Sequence, residues 1–183
     1  MSDNPRVGSL IVVTGPPGAG KSTVAQILAD HFKYSVLVEG DQFFGFVRSS
    51  RFDPWLPDAH TQNTVVIGAA AAAVGSFVLG GYDTVYDGII GPWFLPTFAA
   101  GTGLDSLDYV VLLPTVECCV ERVARRTRHE FSDEAATRHM HEQFEGAEIE
   151  PRHVLFDPPD GVEATAEAVL ALMTAGTLRY SVQ

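Results

Sequence analysis

The residues between positions 15 and 23 have the types and spacing that bind the phosphates of a nucleotide. They read Gly-Pro-Pro-Gly-Ala-Gly-Lys-Ser-Thr, which is a glycine, four residues and then Gly-Lys-Ser. Glycines let backbone N–H groups turn inward around a phosphate, the lysine reaches the β- and γ-phosphates, and the serine can ligate Mg²⁺. We therefore predict a P-loop whose ATP-binding residues are Gly15, Pro16, Pro17, Gly18, Ala19, Gly20, Lys21, Ser22 and Thr23.

Two acidic residues follow predicted strands, at the edge of a parallel sheet where ligands bind. Asp41 can accept the proton of a substrate hydroxyl or bind Mg²⁺, and Asp87 stands where a second magnesium-binding acid is expected. We take Ser22, Asp41 and Asp87 as candidate metal ligands. Each acid also has a structural interpretation: Asp41 suits a helix N-cap, and the pair Asp87-Gly88 suits a turn.

Four arginines lie within a short stretch, at positions 122, 125, 126 and 128. Arginines that close over a transferring phosphoryl group stabilise the charge on its oxygens. We therefore count Arg126, with Lys21 and Asp41, as a catalytic candidate. The alternative is a solvated helix end whose cations complement the helix dipole.

Aromatic side chains are concentrated on either side of the two acids and could form the wall of a pocket for the phosphate acceptor. Packing in the hydrophobic core is the alternative for each of them. The candidate substrate-contacting residues are Asp41, Phe44, Arg48, Arg51, Trp55, Asp87, Trp93 and Arg128, with Phe43 and Phe46 as further possible wall residues.

The elements that must position these residues alternate between strand and helix. Strands are expected over 9–14, 35–39, 84–87, 109–113 and 153–156. Helices are expected after the P-loop and over 41–48, 60–79, 132–144 and 162–174, and a further helix is capped by Thr115 and ends within the arginine cluster. Strands alternating with helices indicate an α/β domain. We predict a three-layer P-loop fold: a five-stranded parallel sheet flanked by helices, with a small helical lid at about 126–145.

Length, charge and cysteines limit the function classes. The 183 residues suit a single domain spanning 1–183, and a net charge of −11 argues against binding nucleic acid or an anionic membrane through a basic face. Cys118 and Cys119 are adjacent, without the spacing of a disulfide framework or zinc site. We expect a cytoplasmic protein with no membrane segment, and we read the apolar stretch 65–79 as a buried helix.

The sequence resembles the small P-loop kinases, the group that contains gluconate kinase, shikimate kinase, chloramphenicol phosphotransferase and, more distantly, adenylate kinase. The resemblance rests on the P-loop, Gly40-Asp41, Asp87-Gly88 and Arg122-x-x-x-Arg126. It implies that Arg122 stacks on adenine, that Arg126 contacts phosphate, and that Asp41 is the base or a metal partner. It also implies that residues 157–160 hold the adenine edge and that 128–131 belong to the lid.

The sequence departs from gluconate kinases directly after Asp41, where Phe43-Phe44-Gly45-Phe46 replaces a histidine-containing motif. This departure favours a more apolar acceptor than gluconate. The predicted function is ATP- and Mg²⁺-dependent phosphorylation of a hydroxyl on a small molecule: a metabolite, a sugar or an antibiotic. The alternatives are a nucleotide kinase, whose anionic acceptor would bind near Arg48 and Arg51, and a module that binds or hydrolyses ATP without transfer.

Overall fold

The computed structural model describes residues 6–125, 132–156 and 161–182. The strands are β1 (Leu10–Thr14), β2 (Ser35–Glu39), β3 (Asp83–Asp87), β4 (Ser106–Leu113), β5 (Val154–Phe156) and β6 (Arg179–Ser181). The helices are α1 (Lys21–His31), α2 (Gly40–Gly45), α3 (His60–Leu79), α4 (Leu95–Thr102), α5 (Val116–Ala124), α6 (Glu134–Glu145) and α7 (Val162–Thr174). Short 3-10 turns cover Pro57–Ala59 and Pro151–His153.

The first five strands form a parallel sheet in the order β2-β3-β1-β4-β5. The predicted α/β fold with a five-stranded parallel sheet is therefore confirmed. β6 was not predicted; it pairs antiparallel with β4 through residues 106–108. β6 has only three residues, which is too short for the alternation of apolar and polar side chains that would identify a strand in the sequence.

Helices cover both faces of the sheet and make the three layers. Leu10 and Val12 of β1 pack in the core with α3 and α4, whereas Ile11 and Val13 pack in the core with α1 and α7. Both faces of this strand are buried, which explains its unbroken apolar run. β1 thus lies in the interior of the sheet, and the P-loop leaves its carboxyl end.

Several element boundaries differ from the prediction. α2 ends at Gly45 rather than at Arg48, and β4 begins at Ser106 rather than at Tyr109. α4 was not predicted at all, although Pro96 in its first turn is a position that favours a helix start. Of the predicted lid, 126–131 lies outside the described residues, and 134–145 is α6, whose Phe144 is fully buried.

One stretch among the described residues, Pro57–Leu79, has the length and apolar composition of a membrane-crossing helix. Core helices of soluble proteins share these properties, and here 44% of the apolar window is buried inside the protein. The buried face of α3 includes Ile67, Ala71, Val74 and Val78, which pack in the core beside α4. The helix therefore serves as one wall of the core.

Candidate functional site

The P-loop backbone adopts conformations that depend on glycine. Gly18 and Gly20 have φ angles of 81° and 95°, in the left-handed region that other residues rarely adopt. A Cβ on Gly18 would lie 2.3 Å from the carbonyl oxygen of Cys119, so the loop is also packed closely against α5. The result is a backbone cradle at the carboxyl end of β1, which fits a nucleotide phosphate.

Lys21 and Ser22 open α1 at this cradle. The Lys21 ammonium donates to the carbonyl oxygen of Pro16 at 3.0 Å, which holds the side chain along the loop. The first turn of α1 contains no acidic residue and its N-cap, Gly20, has no side chain to cap it. The positive end of the helix dipole therefore faces the cradle and favours an anion there.

Asp87 lies at the carboxyl end of β3 and is joined to the P-loop. The Ser22 hydroxyl and the Lys21 ammonium are both near enough to its carboxyl to lower its pKa. Burial outweighs them, since Asp87 is 8% exposed, so the pKa of the carboxyl is raised above its ordinary value. A hydroxyl and a carboxylate placed close together are a ligand set that suits Mg²⁺.

The backbone after Asp87 is fixed to two neighbouring strands at Ile90. The Ile90 N–H donates to the hydroxyl of Thr14 at 2.8 Å, and the hydroxyl of Tyr109 donates to the Ile90 carbonyl at 2.8 Å. Both side chains are buried. These contacts hold the segment that carries Asp87 against β1 and β4.

Asp41 is the second residue of α2 and is exposed. The N-cap of that helix is Glu39, so the interpretation of Asp41 as an N-cap is wrong. The carboxylate of Asp41 is near enough to Asp87 to raise its pKa. The structure thus brings Lys21, Ser22, Asp41 and Asp87 to one edge of the sheet.

Tyr86 lies between the two turns that bear these acids. A Cβ on Gly40 would be 2.2 Å from the Tyr86 hydroxyl oxygen, and a Cβ on Gly88 would be 2.9 Å from it. Burial, together with the charges of Asp41 and Asp87, raises the pKa of the Tyr86 phenol, which stays protonated. Sequence reasoning missed this residue, because a tyrosine within an apolar strand has the pattern of a core residue.

The arginine cluster is described in part. Arg122 is exposed on α5, and its guanidinium donates to the carbonyl oxygen of Gly18 at 3.4 Å, which places it against the P-loop. Arg125 instead forms an ion pair with Glu121 on the same helix. Arg126 and Arg128 lie outside the described residues, as does the segment 157–160.

The aromatic candidates are divided between core and surface. Phe43 packs against the core, Phe44 and Trp55 are half-buried, Phe46 is 72% exposed, and Trp93 is 42% exposed with its ring 5.4 Å from that of Phe144. Core packing is thus the finding for Phe43. A protruding Phe46 and Trp93 leave apolar surface available to a ligand.

The loop between α2 and α3 is fastened to the start of α3. The Gln62 side chain exchanges two hydrogen bonds, both 2.9 Å, with the backbone of Phe52, and Asn63 donates to the carbonyl oxygen of Pro54 at 2.7 Å. Sequence reasoning did not identify these anchors. Arg48 and Arg51 are exposed on this loop, and no described contact joins them to Lys21, Asp41 or Asp87.

Comparison with known proteins agrees with this arrangement. A family model described as an AAA domain matches residues 14–141. A cytidylate kinase from Halobacterium salinarum is 56% identical over 36 residues, which are 20% of this chain and 19% of the kinase. The match therefore covers about a fifth of that relative's length.

Solved structures resemble the chain over nearly its whole length. A sugar kinase from a Janibacter species aligns with a TM-score of 0.69 at 19% identity, covering 91% of this chain and 95% of the other. The tunicamycin resistance protein of Deinococcus radiodurans gives 0.66 at 17% identity with the same coverage. A gluconokinase from Sinorhizobium meliloti gives 0.63 at 20% identity, covering 94% and 95%. These likenesses show that the chain shares the fold of these three proteins.

Proposed function

The chain belongs to the AAA domain family, and from that premise we propose that it is an ATP-dependent kinase for a small molecule. It would transfer the γ-phosphate of ATP to a hydroxyl group of a metabolite, sugar or antibiotic. The names of the structural neighbours support such an acceptor, because they include a sugar kinase and a gluconokinase. The proposal includes a single cytoplasmic domain that acts on neither nucleic acid nor membranes.

The observation that carries the proposal is that the Ser22 hydroxyl, the Lys21 ammonium and the Asp41 carboxylate are all near enough to Asp87 to change its pKa. Among the described residues, no group of three or more His, Cys, Asp or Glu side chains could hold a metal ion alone. Ser22 and Asp87 would therefore share Mg²⁺ with the nucleotide phosphates, as Mg²⁺ sites in kinases commonly do. The bound ion would neutralise charge on the phosphates.

The remaining residues have roles that follow from position. The P-loop N–H groups and Lys21 would hold the β- and γ-phosphates, and Arg122 would contact the nucleotide from α5. Asp41 would orient the acceptor hydroxyl and take its proton as the oxygen attacks the γ-phosphorus. The bond from the γ-phosphorus to the bridging oxygen then breaks, ADP leaves, and Asp41 returns the proton to water.

A direct transfer assay tests this function. The protein is incubated with γ-labelled ATP, Mg²⁺ and a panel of sugars, sugar acids, nucleosides and hydroxylated antibiotics, and labelled product is separated from ATP. We expect at least one acceptor to be labelled. Tight ATP binding without any labelled acceptor would instead favour a module that binds ATP without transfer.

Substitution of the proposed base gives a second test. Asp41→Asn should reduce transfer by about 100-fold or more, because general-base catalysis commonly supplies that factor. ATP binding should be unchanged. Asp30→Asn, an exposed aspartate on α1 that accepts from Gln26, is the matched control. Full turnover by the Asp41 variant would rule out its role as the base.

A nucleotide kinase is the second candidate, and the cytidylate kinase match favours it. Including CMP and the other nucleoside monophosphates in the acceptor panel separates the two. Labelling of a monophosphate, with no neutral hydroxyl compound labelled, would establish this alternative. Arg48→Ala and Arg51→Ala should then raise the KM for the monophosphate, whereas a neutral acceptor should be little affected.

A further inference from the structure

The Tyr86 hydroxyl lies at the floor of the region between Asp41 and Asp87. Its oxygen is next to the Cα atoms of Gly40 and Gly88, each of which adjoins one of those acids in the chain. The ring is held from behind by Phe98, with centroids 4.7 Å apart. The phenol therefore points its hydroxyl toward the carboxyl edge of the sheet, where the acceptor would bind.

This hydroxyl forms no hydrogen bond with any of the described residues. Tyr86 is 2% exposed, so the residue as a whole is almost completely removed from water. The amide oxygen of Asn63 is fully enclosed without a hydrogen-bond partner, whereas the Tyr86 hydroxyl oxygen is not fully enclosed. The other strand tyrosine at this edge, Tyr109, uses its hydroxyl to hold Ile90.

A hydroxyl that forms no hydrogen bond within the protein adds nothing to the stability of the fold, so phenylalanine at this position would stabilise it equally well. Burying such a group is costly unless it gains a hydrogen bond. Residues retained at a cost to stability are typical of binding sites, where the missing partner is the ligand. The packing against Phe98 needs only the ring.

The surroundings of the hydroxyl define what it can bind. A tyrosine hydroxyl carries one hydrogen to donate, so its partner must offer an acceptor atom. Two carboxylates flank the position, which disfavours an anionic oxygen there. A neutral hydroxyl satisfies both conditions, since it can accept from Tyr86 while donating to a carboxylate.

We propose that Tyr86 is a substrate-binding residue that donates a hydrogen bond to a second, neutral hydroxyl of the acceptor, adjacent to the one that is phosphorylated. This inference rests on the proposed kinase function. It narrows the acceptor to compounds with neighbouring hydroxyls, as in sugars, polyols and ribosides. It also predicts that the specificity for the second hydroxyl is lost when Tyr86 becomes phenylalanine.

The test compares acceptors that differ by one hydroxyl. The probe pairs are glucose and 2-deoxyglucose, adenosine and 2′-deoxyadenosine, and glycerol and 1,3-propanediol. Wild-type protein should favour the fuller member of at least one pair by about tenfold or more in kcat/KM, because a site built to hydrogen-bond a hydroxyl rejects its absence. Tyr86→Phe should reduce that preference to about threefold or less, with the Kd for ATP unchanged.

Thermal stability supplies a readout that does not depend on the acceptor. Tyr86→Phe should leave Tm unchanged or raise it, whereas Tyr109→Phe, which removes a buried hydrogen bond, should lower Tm by a few degrees. A Tm loss in Tyr86→Phe as large as in Tyr109→Phe would show that the hydroxyl has a structural partner, and would overturn the inference.

The remaining outcomes separate the two proposals. If the wild type labels acceptors but Tyr86→Phe discriminates between the pairs as well as the wild type does, the kinase function stands and the role of Tyr86 is refuted. If the wild type labels no acceptor while binding ATP, the kinase function fails and this inference falls with it.

Discussion

Replacing Gly40 with alanine should disturb the site without replacing any of its polar side chains. Gly40 is buried at the start of α2, and the added Cβ would meet the Tyr86 hydroxyl oxygen at 2.2 Å and the ring carbon that bears it at 2.7 Å. Real Cβ atoms essentially never show contacts under 3.0 Å. Either the ring or the turn must therefore move by close to 1 Å.

The ring has little freedom to move, because it is packed at a tilt against Phe98 within the core. Overpacking of this kind costs about 1–3 kcal/mol. For a protein of this size, a loss of about 2 kcal/mol lowers Tm by roughly 4–8 °C. Transfer activity should fall further than stability accounts for, since the displaced turn carries Asp41.

Gly45→Ala is the matched control, since it lies at the other end of α2 with nothing within 4 Å of its added Cβ. Alanine there should be neutral or stabilising by up to about 1 kcal/mol, because it has the higher helix propensity. Thermal melts and the labelled-ATP assay are run on both variants. Equal Tm values for Gly40→Ala and Gly45→Ala would refute the close approach of Tyr86 to α2.

Combining Gly40→Ala with Tyr86→Phe should recover part of the lost Tm, since the hydroxyl oxygen nearest to the added Cβ is gone.

Three further predictions follow from the site and the core. Arg122→Ala should weaken ATP binding about tenfold in a titration, whereas Arg125→Ala, whose side chain pairs with Glu121, should not. Asp87→Asn should abolish transfer yet raise the Tm of the nucleotide-free protein at pH 7. Burial raises the pKa of Asp87 above its ordinary value of 3.8, so ionisation of this carboxyl destabilises the wild-type fold once the pH exceeds that value. Asparagine does not ionise, and the Tm advantage of the variant should therefore disappear in melts at more acid pH. Gly75→Ala should destabilise the fold by about 2 kcal/mol or more in denaturant melts, because its Cβ would lie 1.9 Å from the Thr102 carbonyl oxygen; Gly68→Ala on the same helix has open space and should not.

The β1–P-loop–α1 unit could be predicted from sequence because its determinants are local. The apolar run of β1, the glycines and the following helical spacing lie within about twenty residues, and each sets the conformation of its own segment. The same reasoning succeeded for β2 and for α3, whose bounds match the prediction. α4 was missed because a short helix containing proline and glycine has a weak pattern.

The relations between distant segments could not be predicted in this way. The contact of Tyr86 with Gly40 and the bond from Ile90 to Thr14 join residues that are 46 and 76 positions apart. They depend on β3 pairing with both β1 and β2, which no single segment encodes. The burial that raises the pKa of Asp87 is likewise a property of the assembled sheet.

The two hydrogen bonds to the backbone of Ile90 restrict the movement of Asp87 more than that of Asp41. Thr14 and Tyr109 tie the segment after Asp87 to the middle of the sheet, whereas Asp41 stands on a six-residue helix. If the protein changes conformation when the acceptor binds, α2 should consequently move while β3 stays in place. In hydrogen-exchange measurements, the amide of Ile90 should exchange among the slowest outside the strands, and the amides of α2 should exchange far sooner.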